Sequence, residues 1–167
     1  MKPLEPPDSH YVSAASGWLG LGSWQEAASE LENVSPDAAA HPDVLEVRYE
    51  ILAKAGQWEL AADTALTWIN KAPEERGAWI KQAYAVRRKP GGGIVLAKGI
   101  LTAAQQRFPQ EPLIAYNLAC YECQLGNLPQ ARDWLRQAFK WGNVRHLKQM
   151  CVQDSDLEPL RSEIAKL

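Results

Sequence analysis

Small and apolar residues recur along this chain at a spacing that suits paired helices. With units set to begin at Asp8, Pro42, Arg76 and Pro112, the fourth place holds Tyr11, Leu45, Trp79 and Ala115, and the eighth holds Ala15, Tyr49, Ala83 and Ala119. The twentieth place holds Ala27, Ala61, Ala97 (after a two-residue insertion) and Ala131. Small residues at such places permit close helix approach, and the larger apolar ones fill the space between. A turn sequence also recurs: Gly22-Ser23-Trp24, Gly56-Gln57-Trp58 and Gly126-Asn127-Leu128. The first two glycines lie 34 residues apart and the third lies 70 beyond the second, which leaves room for one lengthened unit between them.

The pattern predicts helices over 9–21, 24–34, 42–55, 58–70, 76–88, 94–107, 112–125 and 128–141. Pro36, Pro73 and Pro109 each follow a second helix, where proline ends it. Residues 1–7 read as a flexible Pro-rich leader, and the units span 8–41, 42–75, 76–111 and 112–142. Beyond Gly142, Asn143 caps a short helix through Met150, and Ser155-Asp156-Leu157-Glu158 reads as a capping box. That box would open a last helix with Leu157, Leu160, Ile164 and Leu167 on one face. Residues 143–167 are thus expected to cover the end of a stack. A hairpin of this size cannot bury its apolar face alone, so the units must share one core and present an extended groove.

With 167 residues and 46% hydrophobic content, the chain can bury a full core. No apolar run reaches membrane-spanning length, and Met1-Lys2-Pro3-Leu4-Glu5-Pro6-Pro7 lacks the apolar stretch of a signal peptide. The expectation is a cytoplasmic protein with no membrane contact. Cys120, Cys123 and Cys151 are too few for a disulfide framework and are expected as free thiols.

The net charge of −2 hides an asymmetry. Residues 1–83 hold 6 Lys/Arg against 13 Asp/Glu, a net of −7, whereas residues 84–167 hold 12 against 7, a net of +5. Such polarity steers a charged partner to one end or favours head-to-tail self-contact. Without a Lys/Arg stripe or a base-stacking motif it falls short of a nucleic-acid footprint.

Candidate chemistry is sparse. Lys89-Pro90-Gly91-Gly92-Gly93 precedes a helix and could cradle an anion beside Arg87 and Arg88, but it lacks the spacing and the Lys-Ser/Thr of a P-loop. It reads as an inter-helix turn lengthened by two residues. Cys120 and Cys123, with His146 and Cys151 downstream, superficially resemble zinc ligands, yet the pair falls inside a helix rather than a turn. No metal or cofactor is expected. Trp18, Trp24, Trp58, Trp68 and Trp79 occupy packing places, whereas Trp134 and Trp141 are less well explained. The absence of any nucleophile-elbow, zincin or nucleotide motif, together with the repeat, argues against an enzyme.

The pattern resembles the tetratricopeptide repeat. The unit from Pro42 carries that signature through Leu45, Tyr49, Leu52, Gly56, Trp58, Ala61, Trp68 and Pro73. The unit from Pro112 carries it through Leu118, Ala119, Gly126, Leu128, Ala131, Leu135 and Ala138. The units from Asp8 and Arg76 are looser. The resemblance implies an all-α, right-handed superhelix of antiparallel helical hairpins, and the Asp-x-Asp-Leu-x-Pro-Leu-Arg ending is similar to that of some bacterial members. It further implies a concave surface lined by the first helix of each hairpin. The first unit contributes Ser9, Val12, Ser16, Leu19 and Gly20, and the second Asp43, Glu46, Glu50, Ala53 and Lys54. The third contributes Gly77, Ile80, Tyr84, Arg87 and Arg88, and the fourth Leu113, Tyr116, Cys120, Cys123 and Gln124.

Candidate protein- or peptide-binding residues are therefore Asp43, Glu46, Glu50, Lys54, Ile80, Tyr84, Arg87, Arg88, Tyr116, Cys120 and Gln124. The places that clamp chaperone C-termini in some members hold Val12, Ser16, Val47, Gly77 and Lys81 here, so that clamp is absent. The implied function is a scaffold that binds a peptide or protein segment. The alternatives are a head-to-tail self-assembling module, which would make it a homo-oligomer, or a small chaperone for secreted proteins.

Overall fold

In the computed structural model, residues 2–164 and Lys166 are described. Met1 of the leader and Leu167 of the expected terminal helix lie outside the described residues. The helices run α1 Asp8–Gly20, α2 Trp24–Leu31, α3 Pro42–Lys54, α4 Trp58–Lys71, α5 Arg76–Arg88, α6 Ile94–Arg107, α7 Pro112–Gln124, α8 Leu128–Trp141 and α9 Val144–Gln153. A 3-10 helix, Ser155–Leu160, follows, and the described residues contain no strand. The chain divides into two compact units after Gly93, within the repeat expected at 76–111.

In the first unit α1 packs on α2, α3 on α4, and α4 on α5. One core joins Val12 and Ala15 of α1, Ala27 and Leu31 of α2, and Val44, Val47 and Ile51 of α3. Another joins Leu45, Trp68, Ile69, Ala72 and Ala78, and the Trp68 indole donates to Glu75 Oε2 at 2.7 Å. In the second unit α7 packs on α6, on α8 and on the 3-10 segment. The alanines that set the register, Ala15, Ala27, Ala61, Ala83, Ala97, Ala119 and Ala131, are all fully buried.

The recurrent glycines end helices in one repeated way. Gly22, Gly56 and Gly126 adopt φ of 84°, 71° and 81°, where a side chain would be strained. At each, the next amide returns to the fifth residue back: Ser23 N to Trp18 O, Gln57 N to Leu52 O, and Asn127 N to Glu122 O, at 2.9, 2.9 and 2.8 Å. This pairing satisfies the last carbonyls of α1, α3 and α7 and turns the chain into the next helix. The third repeat uses a different device. Gly92 sits where a Cβ would fall 1.9 Å from Val86 O, and the Gly92 and Gly93 amides donate to Lys89 O and Val86 O, each at 3.0 Å. Two amides of the glycine turn are thus committed to the chain itself rather than to an anion.

In the expected leader, Leu4 packs on the first core and the Lys2 carbonyl lies 3.0 Å from His41 Nε2. Two expectations are corrected. α2 stops at Leu31, three residues early, where the Asn33 side chain donates to Ser29 O and Ser35 binds Asp8. The terminal helix is a 3-10 turn capped by Asp154, whose carboxylate accepts from Asp156 N at 2.9 Å, so Ser155 is not its cap. Pro159 inside the segment lacks the amide an α-helix would need there. Asn143 does cap α9, its Oδ1 accepting from His146 N at 3.1 Å.

Candidate functional site

In the first unit, helices α3 and α5 and the start of α4 enclose a pocket of about 390 Å³. Its lining is Tyr49, Glu50, Ala53, Lys54, Trp58, Ile80, Lys81 and Tyr84. Residues one turn apart share a helix face, so Glu46, Glu50 and Lys54 look in one direction from α3, and Ile80, Tyr84 and Arg88 do so from α5. Tyr84 meets Trp58 edge-on, with ring centres 5.8 Å apart and planes at 60°. The Arg88 guanidinium lies 3.3 Å from the Tyr84 ring centre and 5.5 Å from that of Trp58. The result is an aromatic wall with a delocalised cation on its rim, a surface suited to apolar groups and carboxylates together.

The opposite side of the pocket is charged and only partly compensated. Lys81 Nζ lies 3.0 Å from Glu46 Oε1 and 2.6 Å from Glu50 Oε1, and stands over the rings of Tyr49 and Trp68 at 5.5 and 5.4 Å. Two of the expected acidic binding residues therefore share one ammonium, which leaves this side with one negative charge. Lys54 makes no ion pair among the described residues, and Arg88 bonds only the Tyr84 carbonyl, at 3.1 Å. The charge left for a ligand is positive.

Of the expected binding residues, Glu50, Lys54, Ile80 and Tyr84 line this pocket, Arg88 caps its wall and Glu46 meets it through Lys81. Asp43 does not line it. Its amide instead donates to His41 Nδ1 at 3.2 Å, with its carboxylate 3.6 Å from the same ring. Arg87 is half-buried on α5 and does not line it either. Sequence reasoning missed Lys81 and Trp58, the latter having been assigned to packing; the spacing of Lys81 opposite two glutamates 35 and 31 residues earlier was the available signal. Trp18 likewise departs from its expected packing role, being 38% exposed with its indole 3.4 Å from Glu30 Oε1.

The fourth repeat's face, in the second unit, is covered by the chain's own tail. Tyr116 and Cys120 are buried, the Tyr116 hydroxyl donating to Asp154 Oδ2 at 2.8 Å and the Cys120 thiol reaching the same oxygen at 3.5 Å. Gln124 donates to the Asp156 carbonyl at 3.1 Å. Leu157, Leu160 and Ile164 are buried beyond it, and Arg132 grips Glu163 through two bonds of 2.7 and 2.8 Å. Tyr116 and Cys120 thus line no open groove here, whereas Gln124 is exposed and bonded to the tail. The apolar face of α7 found its cover in the same molecule.

Burial, then the Asp154 charge, pushes the Cys120 thiol up, and burial first pushes up Tyr116. Cys151 is pushed up to about 11 by burial and Asp154. Such thiols stay protonated and are poor nucleophiles. Cys120, Asp154 and Asp156 place three donor atoms within 4.8 Å of one another, but both Asp154 oxygens already accept hydrogen bonds from Tyr116, Cys120 and the Asp156 amide. The cluster is a hydrogen-bonded clasp for the tail. Glu122, the buried acid of α7, is met by Lys98 at 3.1 Å and by the Asn127 amide at 2.8 Å.

No protein-family model matches the chain, and no curated protein sequence does so either. Solved structures do match. "MamA RS-1 ArsTM double mutant" superimposes with a TM-score of 0.68 at 16% identity, covering 91% of this chain and 80% of that one. "MamA MSR-1 C2" gives a TM-score of 0.63 at 16% identity, over 84% and 76% of the two chains. MamA contains tetratricopeptide repeats, and at this identity the likeness is one of fold: an all-helical chain of hairpins similar to that repeat.

Proposed function

We propose that this chain is a protein-interaction module whose first unit binds a peptide or protein segment in the pocket between α3 and α5. The supporting observation is the Trp58–Tyr84–Arg88 stack at the mouth of a cavity of about 390 Å³. Tyrosine, tryptophan and arginine are the side chains that dominate interface energies, because they combine large apolar area with a polar head. The partner segment carries an apolar side chain for the Trp58–Tyr84 wall and a carboxylate for Lys54 and Arg88. Lys81 offsets one of the two charges of Glu46 and Glu50, so with Lys54 and Arg88 the balance around the pocket is one positive charge. The reading is of binding without catalysis, in keeping with the protonated thiols and the compensated Glu122 of the second unit.

The test is partner recovery from a lysate of the native organism with wild-type chain as bait, read by mass spectrometry. Tyr84→Ala with Arg88→Ala should lose the recovered partners while far-UV circular dichroism stays unchanged. Undiminished recovery with the double variant overturns the assignment of this pocket.

A further inference from the structure

Two stretches of the chain, one near the N-terminus and one around the α8–α9 turn, carry charge of one sign without interruption. Residues 3–47 contain eight Asp/Glu and no Lys or Arg, whereas residues 134–153 contain four Lys/Arg and no Asp/Glu. Each stretch also exposes a tryptophan. On the first hairpin, Trp18 is 38% exposed beside Glu30, and Glu26 stands one turn before Glu30 on α2, exposed and without an ion pair among the described residues.

The basic counterpart forms around the α8–α9 turn. Trp141 is 44% exposed with the Lys140 ammonium 4.8 Å from its ring centre. Val144 and Arg145 follow, both exposed, and Arg145 has no ion pair among the described residues. The turn holds them in place, because a Cβ at Gly142 would come within 2.6 Å of Leu147 Cδ1 and 2.9 Å of Pro112 Cβ. One tryptophan thus stands beside carboxylates and the other beside cations, so the chain carries two exposed patches of opposite sign.

We propose that the Trp18–Glu26–Glu30 face docks on the Lys140–Trp141–Arg145 face of a second copy, in a head-to-tail contact. The partner's chemistry follows from complementarity: the cations meet carboxylates and the tryptophans supply the apolar centre, which fixes register and raises the rate of encounter. A head-to-tail contact is heterologous, so it builds either closed rings or open chains. Neither face includes a residue of the α3–α5 pocket.

Sedimentation velocity at rising concentration tests this, in about 0.01 M and about 1 M salt, between which the screening length falls from about 30 Å to about 3 Å. The expected result is a mass that climbs with concentration at low salt and returns to a single chain at high salt. Lys140→Glu with Arg145→Glu should be monomeric, as should Glu26→Lys with Glu30→Lys. An equimolar mixture of these two variants should associate again, and so should the chain carrying all four changes, because each restores opposite faces. A wild-type chain that stays monomeric at low salt overturns the proposal, including the case in which it instead pellets with phosphatidylserine vesicles. So does a fourfold variant that remains monomeric with wild-type circular dichroism.

Discussion

Arg88 lies one helical turn beyond Tyr84 on α5, and its guanidinium rests 3.3 Å from the Tyr84 ring centre, the two forming one flat surface at the pocket mouth. A planar cation stacks on a ring face in a way that an ammonium does not. Arg88→Lys should therefore fail to restore partner recovery despite keeping the charge. At an exposed site the stack is worth about 0.5–1 kcal/mol. Urea denaturation of Arg88→Ala should show a loss of no more than about that size, so a larger loss would mean that Arg88 serves stability instead.

Ala61 and Ala131 are fully buried at equivalent places in two repeats, where paired helices touch. Ala61→Trp or Ala131→Trp should lower the melting temperature sharply, since overpacking costs about 1–3 kcal/mol or more. Thermal melting followed by circular dichroism checks this, and wild-type melting of both variants would sink the repeat register.

Ser35 donates both its amide and its hydroxyl to the Asp8 carboxylate, each at 2.8 Å, and these bonds, the amide first, hold Asp8 below its ordinary 3.8. A depressed folded-state value means that the contribution is complete above the unfolded value and disappears as pH falls through the folded one. Melting temperature should thus drop as pH falls below Asp8's ordinary 3.8, and Asp8→Asn should remove part of that dependence. Melting curves across this range decide it. Parallel curves for both proteins would show that the Asp8–Ser35 link carries none of the acid sensitivity.

All three cysteines are buried, and Cys151 is pushed up to about 11. At neutral pH its thiolate fraction is then about one part in ten thousand. An aromatic disulfide reagent should leave the native chain unlabelled at neutral pH and modify all three thiols once the chain is unfolded. Rapid labelling of Cys120 in native protein would show that the tail opens readily.

The helices were legible because their punctuation is local. A glycine that must adopt positive φ and a proline just past a helix announce a boundary from a few residues, so α5, α6 and α8 span the predicted residues and the others differ by one to three. The places along each helix were legible for the same reason, as the buried alanines show. What was not legible depends on residues far apart in sequence. The spacing of Lys81 from Glu46 and Glu50 runs across units and not within one, and although a covering tail was expected at 143–167, nothing in the repeat showed that Asp154 would close over Tyr116, 38 residues before it. Trp58 was misassigned because one place in the repeat can face inward or edge a pocket, and only its neighbours Tyr84 and Arg88 decide which.

Repeat arrays lengthen and shorten by copying whole units, and the Asp154 clasp bears on whether this one can do so at its C-terminal side. An inserted second copy of residues 112–142 would bring another Tyr116 hydroxyl and another Cys120 thiol without another Asp154 to accept from them. It would also bring a bed for Leu157 and Leu160 with nothing to fill it. Left open to water, that bed would cost about 25 cal/mol for each Å² of apolar surface it exposes. The copy could persist only if its inward face changed at the same time, so a single carboxylate in the tail disfavours simple duplication of the last repeat.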